Sequence, residues 1–332
     1  MKMMRAIMVK NPGGVEDLYI TEQPRPILKP NEILIKVQAV GVNRADIFQR
    51  QGHYPPPKGV SPILGLEVAG IVEEVGSLTT RWRKGDRVMS LLEGGGYAEF
   101  AAADEKMTLP IPKNLSFIEG AAIPEAFLTA YQVLVIIGEL KPNDWVLIHA
   151  GASGVGTAAI QIVKALKARS IVTAGSEEKV QACLKLGCEA GFNYREGPFQ
   201  DNVLKTTKDH GVDLIMDFVG ASYFEQNLKV LAQSDKMILI SLLGGSKVDQ
   251  IDLQDLIGKW ATLTGTTLRS RPLGYKAGLI KAFEDFALRL LENGELKPLI
   301  SHVFPWEKVQ EAHRFMQEGH NIGKIVLQTE VK

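Results

Sequence analysis

The sequence predicts an α/β protein in which a doubly wound parallel sheet is joined to a second, β-rich domain. Three observations lead there. The chain has 332 residues, which at about 150 residues per domain gives two domains, each long enough to bury its own core. Roughly the first 110 residues read as short alternating strands broken by glycine and proline. From about Asn143 the pattern becomes strand then helix, repeated about five or six times, and nearly continuous apolar strands between helices imply a parallel sheet covered on both faces.

Taken in order, strands are expected from Met4 to Val9, Leu18 to Glu22, Ile33 to Val40, Glu67 to Val75 and Arg87 to Leu92. Turn signals separate them at Pro12-Gly13-Gly14 and Gly85-Asp86. Parallel strands follow from Trp145 to His149, Ser170 to Ala174, Ala190 to Asn193, Leu214 to Phe218, Met237 to Leu242 and Ala261 to Gly265. Helical periodicity fills the gaps, as in Ala159, Ile162, Val163 and Leu166. After Arg271 come a helix around Tyr275 to Glu292, another around Trp306 to Gln317, and a last strand from Lys324 to Gln328. That tail is too small to be a domain and is expected to pack on the first. The expected division is therefore residues 1–123 with 270–332 as one domain and 124–269 as the other.

Composition narrows the function. With 45% apolar and 23% charged residues the chain is neither disordered nor membrane-embedded in character. Its 38 basic residues equal its 38 acidic ones, so no overall field draws it to nucleic acid or anionic lipid. Two cysteines, Cys183 and Cys188, are too few for a disulfide framework or a four-cysteine zinc site, which points to a reducing, cytoplasmic setting. The apolar stretch before Asn11-Pro12 is too short for a secretory signal. No uninterrupted apolar run is long enough for membrane insertion.

The strongest motif follows the strand Trp145 to His149. Ala150-Gly151-Ala152-Ser153-Gly154-Val155-Gly156-Thr157-Ala158-Ala159 places Gly154, Gly156 and Ala159 on the G-x-G-x-x-A dinucleotide fingerprint, with a strand before and a helix after. Side chains there would block the turn, the approach of backbone to pyrophosphate, and helix–strand packing; the helix N-terminus then favours the anion. The next strand should end in an acid if the ribose 2′-hydroxyl of NAD is bound. It ends instead in Gly175 and Ser176, which leave room for a 2′-phosphate, with Lys179 as a neutralising charge. NADPH is therefore the expected cofactor, although Glu177 and Glu178 are close and Ser176 also suits a helix N-cap.

Zinc-dependent alcohol dehydrogenases with this domain order carry a cysteine and a histidine as catalytic zinc ligands. Here Asn43 and Leu66 stand at those places, in Val42-Asn43-Arg44-Ala45-Asp46 and Gly65-Leu66-Glu67. Without thiolate or imidazole no catalytic zinc is expected, and the hydride acceptor must already be electrophilic, a quinone or conjugated carbonyl. These stretches, with Lys84-Gly85-Asp86-Arg87-Val88, the run from Ala122 to Tyr131, His149 to Gly156 and Asn321 to Leu327, resemble the zinc-free quinone oxidoreductase branch of the medium-chain dehydrogenase/reductase superfamily over nearly the whole chain.

The resemblance implies a Rossmann domain for the parallel sheet and a GroES-like catalytic domain for the β-rich part. It places Asn43 and Thr129 by the nicotinamide, Gly154, Val155 and Gly156 around the pyrophosphate, and Gly175, Ser176, Lys179 and Tyr194 around the 2′-phosphate. Val219, Gly220, Leu243 and Gly244 would line the cofactor's path, with Arg269 and Lys324 also among the cofactor-binding residues. A quinone pocket would be lined by Asn43, Asp46, Phe48 and Tyr54, of which Asn43, Asp46 and Tyr54 are the catalytic candidates. Phe48 stands where several members carry tyrosine, which removes proton donation from that position.

The implied chemistry is hydride transfer from NADPH to a quinone, with Asn43, Tyr54 or water stabilising the developing anionic oxygen. One-electron reduction fits the same residues. An enone or alkenal reductase and a non-catalytic NADPH-binding protein are the alternatives. His149 reads as a packed core histidine, His53 as solvated, and the two cysteines as packing. Arg269 and Arg271 are suited to a phosphate or acidic group near the cofactor. A homodimer is expected from the resemblance and from the apolar strand Met237 to Leu242 followed by Lys259 to Gly265 at the sheet's edge.

Overall fold

The computed structural model describes residues 2–329. The chain forms two units, Met1–Leu128 with Leu268–Lys332, and Thr129–Thr267.

The first unit opens with β1 (Met3–Val9) and β2 (Leu18–Pro24), an antiparallel ladder running from Met3 opposite Pro24 to Val9 opposite Leu18. β3 (Glu32–Val42) is its longest strand, and α1 (Arg44–Arg50) follows directly. The N-terminal part continues with β4 (Glu67–Val75), β5 (Arg87–Leu91), β6 (Phe100–Asp104), β7 (Thr108–Pro110), α2 (Phe117–Gly120) and the start of α3 (Pro124–Tyr131). The boundary at Leu128 falls inside α3.

The second unit runs β8 (Trp145–Ile148), α4 (Gly154–Ala165), β9 (Arg169–Ala174), α5 (Glu177–Leu186), β10 (Ala190–Asn193), α6 (Gln200–Thr207), β11 (Val212–Asp217), α7 (Phe224–Val230), β12 (Leu231–Leu239), α8 (Leu253–Lys259) and β13 (Thr262–Gly265). Its strand order is β10-β9-β8-β11-β12-β13, parallel throughout. Chain order reverses between β8 and β11, the switch point where doubly wound sheets bind ligands beyond the carboxyl ends of their strands. The central strands β8, β9 and β11 are apolar because both faces are covered: Val146, Leu147, Ile148, Ile171, Val172 and Ile215 are fully buried.

The chain then returns to the first unit with α9 (Leu273–Glu292), β14 (Ile300–Pro305), α10 (Val309–Gln317) and β15 (Lys324–Gln328). β15 pairs antiparallel with β3, Ile325 opposite Val42, so the tail completes the first unit's sheet in the order β14-β15-β3-β4-β5-β7, with β6 also on β3. Trp306, Ile325 and Leu327 share a core with Ile33, Ile35 and Val40.

Several elements depart from the sequence reading. β6 and β7 were not anticipated: β6 carries Ala101, Ala102 and Ala103, poor strand formers, and β7 ends on Pro110. β14 is likewise additional. β12 spans Leu231–Leu239 rather than Met237 to Leu242, because Ile240 leaves the strand to donate its N–H to the Asp217 carbonyl at 2.8 Å and Leu243 turns back to that of Phe218. A π-helical turn, Gln132–Ile137, continues α3. The helical run Phe117–Ile137 is long and apolar enough to cross a membrane by length and composition, but 78% of its apolar window is buried, as in a core helix.

Candidate active site

In the second unit, the turn after β8 is shaped for close backbone approach. The Ser153 hydroxyl caps α4 by accepting the Gly156 N–H at 3.0 Å. A Cβ on Gly156 would lie 2.5 Å from the carbonyl oxygens of Ala150 and Gly151, and one on Gly151 would lie 2.6 Å from Val172 of β9. Gly151, to which the sequence reading gave no separate role, thus packs the turn against the neighbouring strand. Gly154 and Val155 remain half-buried at the start of α4, where helix amides favour an anion.

The end of β9 gathers the residues expected around a 2′-phosphate. Ser176 caps α5 by accepting the Lys179 N–H at 3.3 Å. Tyr194 follows β10, donates its N–H to the Ala174 carbonyl, and places its hydroxyl 2.7 Å from where a Cβ on Gly175 would be. Gly175, Ser176, Lys179 and Tyr194 are therefore brought together, and no carboxylate ends the strand. The Asp217 carboxylate at the tip of β11 accepts the N–H groups of Val219 and Gly220 at 2.6 and 3.1 Å. Leu243 and Gly244 donate to the carbonyls of Phe218 and Val219 at 3.1 and 2.7 Å, so these two loops form one surface. Thr129 is buried on α3.

His149 is a core histidine. The Asn227 amide donates to Asp217, so its oxygen accepts the His149 Nε2–H at 2.7 Å, and Nδ1 accepts the Thr173 hydroxyl at 2.8 Å. Burial lowers its pKa, with Asp217 opposing.

In the first unit, Asn43 caps α1 and lies in a buried polar cluster. Its amide N–H groups go to Glu67 Oε1 at 2.9 Å and the Gly41 carbonyl at 3.3 Å, while its oxygen accepts from Lys324 Nζ at 2.6 Å. The Lys324 ammonium also bonds Glu67 at 2.5 Å and the Val42 carbonyl at 3.2 Å, so its three donors are all spent inside this unit. Expected as a donor to substrate, Asn43 has both amide hydrogens committed; expected against the cofactor, Lys324 closes this cluster.

Asp46 is fully buried and accepts the Asn43 and Gly65 N–H groups at 2.8 and 3.1 Å. Burial nevertheless pushes its carboxyl up to about 6. Tyr97 and His313, bonded to each other at 3.0 Å, lie behind it. Glu125, at the first turn of α3, donates its N–H to Glu67 Oε2 at 2.8 Å. Burial, and then the neighbouring Glu67 charge, push its own carboxyl up to about 8. The sequence reading missed Glu67, Glu125, Tyr97 and His313 as site residues; the one available signal was that Glu67 adjoins Leu66.

Tyr54 is half-buried, and burial raises its pKa. The Arg269 guanidinium lies over its ring, 5.3 Å from the centroid. Phe48 is half-buried on α1 and His53 is exposed. Among the described residues no group of three or more His, Cys, Asp or Glu side chains is placed to hold a metal ion.

Two family profiles match the chain: an alcohol dehydrogenase GroES-like domain over residues 29–113 and a zinc-binding dehydrogenase over residues 154–291. Human quinone oxidoreductase is 34% identical over 98% of each chain. Among solved structures, an NAD-dependent alcohol dehydrogenase superposes with a TM-score of 0.87 at 32% identity, covering 98% of this chain and 100% of that one. A mycobacterial protein complexed with NADPH superposes at 0.85 and 30% identity, covering 98% and 99%. Full-length identity to the human enzyme, with both domain profiles in order, makes this chain a member of the quinone oxidoreductase branch of the medium-chain dehydrogenase/reductase superfamily.

Proposed function

We propose that the chain is a zinc-independent, NADPH-dependent quinone oxidoreductase. The observation that carries the reading is the Lys324 ammonium hydrogen-bonded to Asn43. Asn43 stands where zinc-dependent relatives place a thiolate, and it offers instead a neutral amide already bonded to Glu67 and Lys324. The acceptor must then be electrophilic without Lewis-acid help, as a quinone is.

The glycine cradle fits a dinucleotide: Gly151 and Gly156 leave only backbone at the turn, and α4 begins there. Gly154, Val155 and Gly156 would hold the pyrophosphate, Gly175, Ser176, Lys179 and Tyr194 the 2′-phosphate, and Val219, Gly220, Leu243 and Gly244 the path toward the nicotinamide, with Thr129 beside it. Bound there, NADPH supplies a hydride. In the other unit Tyr54 supplies a ring for the quinone to stack against and a hydroxyl kept protonated by burial. Asp46 and the Asn43–Lys324–Glu67 cluster hold the end of β3 and the start of α1 in place.

One observation favours a second reading, an enone reductase. That reaction needs a proton at the α-carbon, and Glu125 retains its proton up to about pH 8. The test follows NADPH oxidation by the purified protein with ortho-quinones, para-quinones and 2-alkenals, NADH beside it. Quinone-dependent turnover preferring NADPH supports the first reading, and turnover with alkenals alone replaces it with the second. NADPH binding without turnover reduces the protein to a binding role. Buried, unpaired Cys183 and Cys188 suit a reducing, cytoplasmic compartment, and the edge strand β13 suits a homodimer.

A further inference from the structure

Arg269 is the second residue of the returning segment of the first unit and is 5% exposed. Its Nε donates to the Glu93 carbonyl at 2.6 Å, and its guanidinium covers the Tyr54 ring. Both terminal nitrogens are buried without a hydrogen-bond partner among the described residues. A guanidinium left in this state costs free energy until an acceptor arrives. The neighbouring carboxylates do not supply one. Glu93 is paired with the Lys276 ammonium, Glu67 with Lys324, and Asp46 accepts the Asn43 and Gly65 amides. Glu125, the remaining acid, keeps its proton up to about pH 8 and carries no charge to offer.

With Nε anchored, the two terminal nitrogens form an end-on fork whose spacing matches the two oxygens of a carboxylate or a similar oxyanion. The fork lies beside Tyr54, the ring assigned above to stack the substrate. We propose that Arg269 reads an anionic group on the substrate, so that the site prefers quinones bearing a carboxylate or like oxyanion to their neutral isosteres. This rests on the quinone reductase reading and gives that reading a substrate class. A phosphate of the cofactor offers the same oxyanion chemistry, and the experiment separates the two sources.

The probes are a naphthoquinone carrying a propanoic acid chain and the same naphthoquinone carrying a propanamide. Calorimetry gives their dissociation constants and that of NADPH, and NADPH oxidation gives KM and kcat. The wild-type protein should bind the acid at least about tenfold more tightly than the amide, the scale of one charge-assisted bond. Arg269→Gln should erase that preference through Kd and KM, Arg269→Lys should keep part of it, and NADPH affinity should not change. Equal binding of both probes by the wild-type protein overturns the proposal, with no variant needed. So does an Arg269→Gln protein that keeps the preference but binds NADPH more weakly, which assigns the fork to the cofactor. If the acid is preferred but neither probe is reduced, the oxyanion site stands and the quinone reductase reading falls.

Discussion

Tyr194 and Gly175 meet at the ends of adjacent parallel strands, the tyrosine hydroxyl filling the space in which a Cβ at position 175 would stand, 2.7 Å away. The hydroxyl is thereby held beside Ser176 and the first turn of α5, where Lys179 sits. A 2′-phosphate bound there would gain one charge-assisted contact from Lys179, worth about 1.5–3 kcal/mol. Lys179→Ala should therefore weaken NADPH binding by about 10- to 100-fold and leave NADH binding unchanged. Equal loss for both nucleotides in a fluorescence titration would remove the 2′-phosphate from this corner.

The Lys324–Glu67 pair makes a prediction about stability. Both side chains are buried, at 5% and 0% exposure, so removing the ammonium leaves an uncompensated carboxylate that also accepts from Asn43 and the Glu125 N–H. Lys324→Met should cost about 3–5 kcal/mol in urea unfolding, and adding Glu67→Gln should recover a large part of it. A loss under about 1 kcal/mol for the single variant would mean that the cluster relaxes into solvent.

The parallel sheet was legible because its central strands, β8, β9 and β11, carry short apolar runs followed by a glycine, a cap or a turn. Trp145 to His149 before Ala150-Gly151 is the clearest case, and only its last residue lies outside β8. β6 was illegible because Ala101, Ala102 and Ala103 carry no strand preference, and their burial comes from pairing with β3 across a long sequence separation. The same limit hid Glu67 and Glu125. The residues proposed for the phosphates cluster within short motifs, whereas these two meet Asn43 and Lys324 only once β15 pairs with β3. Nothing in the local sequence around Glu125 announces an acid of raised pKa, and nothing around Arg269 says that its fork lacks a partner.

Glu125 gives the protein a pH dependence of known sign. Its carboxyl has an ordinary value of 4.5 and is raised to about 8 in the folded chain, so the folded state holds a proton that the unfolded state releases. The associated stability is complete below about pH 4.5 and is lost as pH rises through about 8. Asp46, raised from 3.8 to about 6, adds a smaller loss in its own window. His149 and His313, buried and with values lowered from 6.5, work in the opposite sense up to about that pH. Wild-type stability should therefore fall between about pH 6.5 and 8, and Glu125→Gln, neutral throughout, should flatten most of that slope. A slope unchanged in Glu125→Gln would show that other groups carry it.

The outer edge of β13 predicts how the protein assembles. β13 is hydrogen-bonded to β12 on one side and ends the sheet on the other, leaving a row of strand groups free to pair. Large apolar side chains stand exposed around it: Leu253, Ile257, Trp260 and Leu263 are 64%, 72%, 67% and 43% exposed. Such a patch is unusual on a monomer and suits a twofold mate, in which each residue acts twice across the axis. Sedimentation velocity should show a dimer for the wild-type chain. Leu263→Lys, which puts two like charges at the joined edges, should shift it to monomer while the circular dichroism spectrum stays the same. A wild-type chain that sediments as a monomer across micromolar concentrations would rule the edge out as the interface. A Leu263→Lys protein that remains dimeric would move the contact to another surface.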